Sequence, residues 1–508
     1  MSGVRLFERA EGHGDAPAIL SRGARHTYSD LLRSSASVAT ALLAGEVDLR
    51  EKRVGFLAPA SFEYAAAQWG VWRAGGMAVP LSVSAPKPEI EHVLTDAGVG
   101  VALAPRRLRE RIEPLCDELG IPVRSLEVAL EGDSGDLPRV SGDRRAMILY
   151  TSGTTSKPKG VVSTHANIEA QIMALVDAWE WRKEDRIPLF LPLHHVHGIV
   201  NVLSCALWSG AFVEAFESFD RDAILGRVGE KAYTVFMAVP TIYVKLIQEL
   251  ESASSDERQR YAAGFASMRL MISGSAALPA SIHEKWTELT GQTLLERYGM
   301  TEIGMGLSNP LHGERRPAAV GQPLPGVEVR LTGESGKVIE GENEPGEIQV
   351  RGPAVFKEYW RKPEVTREAF VDGWFRTGDF AVLEDGYYRI MGRMSVDIIK
   401  SGGYKLSALE IEETLRQHPA IEECAVVGVR DDTWGEVVAV AVVTKVGMGL
   451  ELDELRTWAG ERLSSYRIPK KLVVVTDLPR NAMGKVVKPA VRELFGGESR
   501  AESGPSRS

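Results

Sequence analysis

Tyr150-Thr151-Ser152-Gly153-Thr154-Thr155-Ser156-Lys157-Pro158-Lys159-Gly160 follows directly on the apolar run Met147–Leu149. Hydroxyls, glycines and lysines crowded behind a buried strand suit a phosphate. Backbone N–H groups and hydroxyls donate hydrogen bonds, and lysines supply charge. The stretch is no Walker A loop, because Pro158 stands where GxxxxGK[ST] needs its second glycine. Taken alone, such a segment also reads as an ordinary surface loop. Its setting decides.

Upstream of this loop, short apolar runs alternate with amphipathic stretches. Val54–Ala58, Met77–Leu81 and Gly100–Ala104 are expected as buried strands. Tyr28–Leu42, Ser61–Ala74 and Lys87–Ala97 carry apolar residues at three- and four-residue spacing and are expected as helices. The alternation predicts a layered α/β architecture and resumes at Tyr233–Met237 and Met268–Ser273. Gly198–Val213 is apolar but interrupted by polar residues and too short for a membrane span, so a buried helix followed by a strand is expected. From Gly321 the texture changes to short strands (Val327–Leu331, Glu347–Val350, Tyr387–Ile390) between Gly and Pro turns, a small β-rich unit. A compact αβ pattern then follows: helix Leu406–Gln417, strands Ile421–Val429 and Val437–Thr444, helix Glu451–Arg462. The domain boundary is expected at Arg393, giving residues 1–393, a smaller domain 394–495, and a polar, disordered tail 496–508.

At 508 residues the chain exceeds what one core usually supports. Its 44% hydrophobic and 25% charged residues are those of a soluble globular protein. A net charge of −9 argues against a nucleic-acid partner. Cys116, Cys205 and Cys424 have no disulfide or zinc spacing and are expected as reduced thiols. The N-terminal stretch lacks an apolar signal core and the last residues carry no peroxisomal address. A cytoplasmic enzyme, free of membrane and nucleic acid and either a monomer or a homodimer, is the expectation.

The segment Tyr150–Gly160 resembles the signature loop TSGTTGxPKG of the adenylate-forming superfamily, with Ser156 where the family usually has glycine. That superfamily contains acyl-CoA synthetases, stand-alone adenylation domains and beetle luciferases. Tyr298-Gly299-Met300-Thr301-Glu302 matches its YGxTE motif, and Gly274-Ser275-Ala276-Ala277 resembles its small-residue loop beside adenine. Thr377-Gly378-Asp379 matches its TGD motif, Gly392-Arg393 the start of its hinge, and Pro479–Lys485 its PRxxxGK motif. Singly each is weak: YGMTE could open a helix with Thr301 as cap, TGD is a common turn, and a lone lysine is usually solvated. Together they occur in the family's order over roughly residues 20–495.

The resemblance implies two half-reactions. A carboxylate attacks the α-phosphate of Mg·ATP, giving an acyl-adenylate and pyrophosphate; the thiol of coenzyme A then displaces AMP. It implies Thr151, Ser152, Gly153, Thr154, Thr155 and Lys159 on the phosphates, Gly274, Ser275, Ala276, Tyr298 and Gly299 around adenine, and Asp379 and Arg393 on the ribose. Thr301 would contact the α-phosphate, Glu302 would hold Mg²⁺ with Thr155 as a second oxygen, and Lys485 would be the adenylation lysine. Lys400, Ser401, Gly402, Gly403 and Tyr404 would line the coenzyme A tunnel once the small domain swings. Arg393 to Lys400 is one residue longer than usual, so Ser395, Val396 or Asp397 could be the pivot, with Asp397 favoured.

The acid is set elsewhere. His194, His195 and His197 lie near the acyl pocket by resemblance; without a nearby carboxylate or cysteine they read poorly as a metal site. By the same resemblance His195 is expected to position substrate or to gate the thiol, and His194 to be packed. Arg297 precedes YGMTE, and a semi-buried arginine needs an anion: a second carboxylate on the substrate, or a protein acid such as Glu296 or Glu302. Arg297, His195 and Ser273 are therefore expected on the acid. The sequence around Arg297, and the runs Pro192–Gly198, Phe236–Thr241 and Ser395–Lys400, look like those of malonyl-CoA synthetases. Malonate is expected, with methylmalonate its nearest rival. The alternatives are a ligase for a medium-chain or aromatic monocarboxylic acid, a luciferase-like enzyme and a carrier-loading adenylating enzyme.

Overall fold

The computed structural model describes residues 3–151, 158–333, 335–394, 396–402, 404–480 and 486–496. Ser152, Gly153, Thr154, Thr155, Gly403, Lys485, the pivot candidate Ser395 and the tail beyond 496 lie outside the described residues. Contacts divide the chain into two compact units. One holds everything up to Val329 together with Val350–Arg376; the other holds Arg330–Gln349 and the chain from Thr377 onward.

In the first unit the apolar runs become a sheet in the order Glu358–Tyr359, Lys159–Thr164, Arg145–Thr151, Met77–Pro80, Arg53–Phe56, Val101–Ala104, Val123–Ser125. From Arg145–Thr151 to Val123–Ser125 the strands run parallel, and Lys159–Thr164 returns antiparallel. Met77–Pro80 is buried at every position, as a strand covered on both faces must be. Helix Phe62–Arg73 is almost wholly buried, so it too reads apolar all round. Its Ser61 cap accepts the Tyr64 N–H, and Trp72 Nε1 donates to the Ala146 carbonyl at 2.8 Å. A second sheet places Val235–Ala238, Leu270–Ser273 and Leu295–Met300 in parallel, followed by antiparallel Gly304–Ser308. A third joins Pro17–Ser21 to Phe212–Ala215.

The expected helix and strand over 198–213 are present, with one difference. His197–Ser204 is a π-helix, continued by the α-helix Cys205–Ser209 and the strand Phe212–Ala215. The Ser204 hydroxyl donates to the Ile199 carbonyl five residues back, which widens the turn. YGMTE does not open a helix: Tyr298–Met300 ends a strand and 301–303 is a turn. No helix among the described residues is long and apolar enough to cross a membrane.

In the second unit, strands Ile421–Asp431 and Gly435–Thr444 form a long antiparallel pair, flanked by Ile398–Ser401, Tyr404–Ser407 and Lys471–Val474. The expected helix Leu406–Gln417 is shorter, at Ala408–Leu415, because Leu406 belongs to a strand. Leu406 fits the helical period, but Ser407 is the cap: its hydroxyl accepts the Glu410 N–H. Under this sheet Lys488 is buried with its ammonium on the Glu412 carboxylate, on the Val426 carbonyl at 2.7 Å, and 3.6 Å from Asp397. Removing one member of a buried ionic cluster strands the other charges. Lys488→Met should therefore destabilise the second unit by about 3–5 kcal/mol. Urea unfolding followed at Trp434 or Trp458 measures this; a loss below about 1 kcal/mol would mean that the cluster is solvated.

Candidate active site

Strands Leu270–Ser273 and Leu295–Met300 run parallel, with Ser273 opposite Glu296. Their carboxyl ends bring Gly274 and Ser275 beside Arg297, where parallel sheets usually bind ligands. Arg297 is only 4% exposed. Its guanidinium lies against Gly274 so closely that a Cβ there would come 2.4 Å from Cζ, so any larger residue would displace the guanidinium. Nη2 donates to Ser275 Oγ at 3.2 Å, while Nε is buried without a partner. No ion pair forms with Glu296 or Glu302: Glu296 accepts the Ala318 N–H, and Glu302 accepts the Tyr359 hydroxyl. Burial, unrelieved by any charge, pushes the Arg297 pKa down to about 9. Ser273 Oγ is a second buried atom without a partner.

His197 completes this cluster. Its Nδ1 lies 3.1 Å from Ser275 Oγ, so Ser275 joins the imidazole to the guanidinium. Ser275 sits at φ +70°, a left-handed conformation that turns its hydroxyl toward both. His197 is a site residue that the sequence did not single out. Three histidines in four residues mark the neighbourhood but cannot say which ring turns inward. The His195 ring lies 4.0 Å from that of His194, whose pKa burial lowers to about 4. Ala276, next to Ser275, is exposed.

In the same unit, Thr151 pairs with Lys159 across the hairpin that bounds the signature loop. Lys159 Nζ stands 5.3 Å from the Tyr359 ring centre, and Tyr359 Oη donates to the Glu302 carboxylate at 3.0 Å. An ammonium and a buried carboxylate thus meet at one tyrosine. Tyr298 and Thr301 are half-buried. Gly299 passes so near the Gly304 carbonyl that a Cβ would lie 2.2 Å from the oxygen. Among the described residues no group of three His, Cys, Asp or Glu could hold a metal ion. The Glu302 carboxylate is a hard oxygen donor of the kind that suits Mg²⁺.

In the second unit the hairpin of Trp374–Glu384 with Tyr387–Arg393 sets Asp379 opposite Arg393. Arg393 Nε donates to Asp379 Oδ1 at 2.9 Å, and the Arg393 N–H donates to Asp397 Oδ2 at 3.0 Å. The two expected ribose residues therefore come together. Lys400, Gly402 and Tyr404 are exposed and Ser401 is buried; the Tyr404 ring stacks on Tyr466 at 4.6 Å.

The profile of the AMP-binding enzymes matches residues 6–360, and that of the AMP-binding enzyme C-terminal domain matches residues 410–485. The chain belongs to the AMP-binding enzyme family. It is 45% identical to a mitochondrial malonate–CoA ligase of Bos taurus, over 99% of this chain and 92% of the relative. Identity to a malonate–CoA ligase of Arabidopsis thaliana is 39%, over 96% and 87%. ATP-bound MatB from Rhodopseudomonas palustris superposes with a TM-score of 0.89 at 34% identity, covering 97% of this chain and 99% of that one. The expected α/β fold, a large AMP-binding domain followed by a small C-terminal one, is thus this family's.

An unpaired buried charge is a cost that ligand binding can repay. Arg297→Met should leave the ligand-free protein as stable as wild type or more stable by about 1–4 kcal/mol. Calorimetry of the ligand-free proteins measures this; a fall of several degrees in Tm would show that Arg297 holds the fold.

Proposed function

We propose that this chain is an ATP-dependent, AMP-forming malonate–CoA ligase. The observation that carries the proposal is Arg297: a buried guanidinium whose Nε has no partner among the described residues, packed on Gly274 and bonded only to the Ser275 hydroxyl. A monocarboxylic acid spends its one carboxylate on ATP and leaves that guanidinium bare. A dicarboxylic acid brings a second carboxylate that a guanidinium can bind bidentately. The similarity to malonate–CoA ligases over nearly the whole chain supports malonate as that acid, with methylmalonate as its nearest rival.

In this reaction one malonate carboxylate attacks the α-phosphorus of ATP and the bond to pyrophosphate breaks. The coenzyme A thiolate then attacks the acyl carbon and AMP leaves. Two anions must meet in the first step, so charge neutralisation and positioning carry it. Arg297 holds the distal carboxylate, with His195 near the reacting end, and Lys159 holds the phosphates; Ser273, paired with Glu296, faces the other side of the sheet. Glu302 would hold Mg²⁺, which neutralises phosphate charge when bound. Asp379 and Arg393 take the ribose, and Lys485 bridges the acid and the α-phosphate. Residues 394–495 form the part that moves between half-reactions. Asp397, bonded to the Arg393 N–H and near Lys488, is the pivot we favour. Lys400 to Tyr404 then face coenzyme A. Three buried free thiols support a reducing compartment, the cytoplasm among them.

A panel of acids with purified protein, ATP, Mg²⁺ and coenzyme A tests the assignment. AMP release is expected with malonate or methylmalonate; turnover of octanoate or a cinnamate without either dicarboxylate would overturn it. Arg297→Ala should raise the malonate KM about a hundredfold, the scale of a lost charged contact, and leave the ATP KM near wild type. Equal loss for both substrates would assign the arginine to the fold. Lys485→Ala should stop adenylation while sparing thioester formation from supplied acyl-adenylate.

A further inference from the structure

Helix Lys87–Ala97 carries His92 and Asp96 one turn apart on one face. His92 Nε2 lies 3.0 Å from the Pro158 carbonyl, which can only accept, so the imidazole donates. Tyr150 Oη donates to Asp96 Oδ2 at 2.7 Å. Burial and the Asp96 charge push the Tyr150 phenol above its ordinary range, so it stays a donor. Tyr150 is the residue before Thr151 and Pro158 the residue before Lys159. One helix face therefore grips both arms of the hairpin next to the Thr151–Lys159 pair.

The same turn reaches the carboxylate side. Trp360 Nε1 donates to the Asp96 carbonyl at 3.0 Å, and the Trp360 N–H donates to the Gly160 carbonyl at 2.8 Å. Its neighbour Tyr359 bonds Glu302 and lies under Lys159. The helix end is itself fixed: Arg53 donates to the Ala97 and Gly98 carbonyls at 3.0 and 2.7 Å.

We propose that this helix face, through His92 and Asp96, is the bracket that holds the Lys159 ammonium and the Glu302 carboxylate at the separation Mg·ATP requires, and that His92 and Asp96 are positioning residues for adenylation. The proposal rests on Lys159 and Glu302 serving the ATP phosphates. Neither bracket residue is assigned to substrate in the proposed reaction. Each bonds a backbone carbonyl or a phenol beside a residue that is.

Full-length protein tests this with two assays: malonate-dependent ATP–pyrophosphate exchange, and thioester formation from supplied malonyl-adenylate and coenzyme A. His92→Phe keeps a ring against Tyr150 but removes the donor. It should raise the KM for Mg·ATP in exchange about five- to tenfold, the scale of one lost hydrogen bond, and leave thioester formation unchanged. His92→Gln, whose amide can donate to the Pro158 carbonyl, should restore the KM to within about twofold. Tyr150→Phe should shift the KM the same way, and it carries the test should His92→Phe fail to fold. An unchanged KM, an equal fall in both half-reactions, or no rescue by glutamine overturns the bracket. Lys159→Ala separates the two levels. If it leaves the Mg·ATP KM unchanged, the phosphate assignment fails and takes the bracket with it; if it raises the KM while His92→Phe and Tyr150→Phe do not, the bracket alone fails.

Discussion

A guanidinium buried without a counter-ion among the described residues is the constraint around which the strand ends at Ser273–Ser275 and Arg297 are arranged. Arg297 is held by backbone proximity at Gly274 and by one hydroxyl, Ser275, not by a carboxylate. Burying a charge on such terms costs several kcal/mol unless a ligand supplies the partner. The neighbouring structure frames that placement: parallel strands that end together, a glycine against the guanidinium, a serine at positive φ, and His197 bonded to that serine. The fold spends stability there, as sites that bind charged ligands commonly do.

The contacts around Tyr359 follow a different logic. Lys159 and Glu302 come from distant parts of the sequence and meet at Tyr359. Their separation depends on strand pairing and on the helix Lys87–Ala97, since neither group touches the other. Positive and negative groups set apart by a rigid aromatic ring can serve a phosphate and a cation together. In the second unit, Asp379, Arg393, Asp397 and Lys488 form a chain of polar contacts, two of them ionic and one from the Arg393 backbone N–H. A segment expected to change conformation is thus wired through polar groups, which exchange partners at lower cost than a packed core.

Element identity was largely legible in the amino-acid order because it depends on local periodicity. Lys87–Ala97 has the expected bounds, and the early strands fall within a residue or two of theirs. The misread boundary at Leu406 shows the limit: an apolar residue before a cap satisfies strand and helix patterns alike, and only the Ser407 hydrogen bond separates them. Gly198–Val213 was legible as a buried helix and strand, but not as a π-turn, because no sequence period marks a five-residue hydrogen bond.

By itself, the sequence determined the family, the order of its motifs and the presence of an arginine just before YGMTE, since each is a matter of residue type and local spacing. Tertiary structure decided whether that arginine was paired. Glu296 and Glu302 are its near neighbours along the chain, yet each is engaged elsewhere. Tertiary structure also chose His197 as the imidazole bonded to Ser275, and brought His92 and Asp96 to the two arms of the signature hairpin. These contacts join residues 54 to 78 positions apart, or 66 in the case of His92 and Pro158. Their geometry depends on how strands and helices stack, which no local pattern encodes.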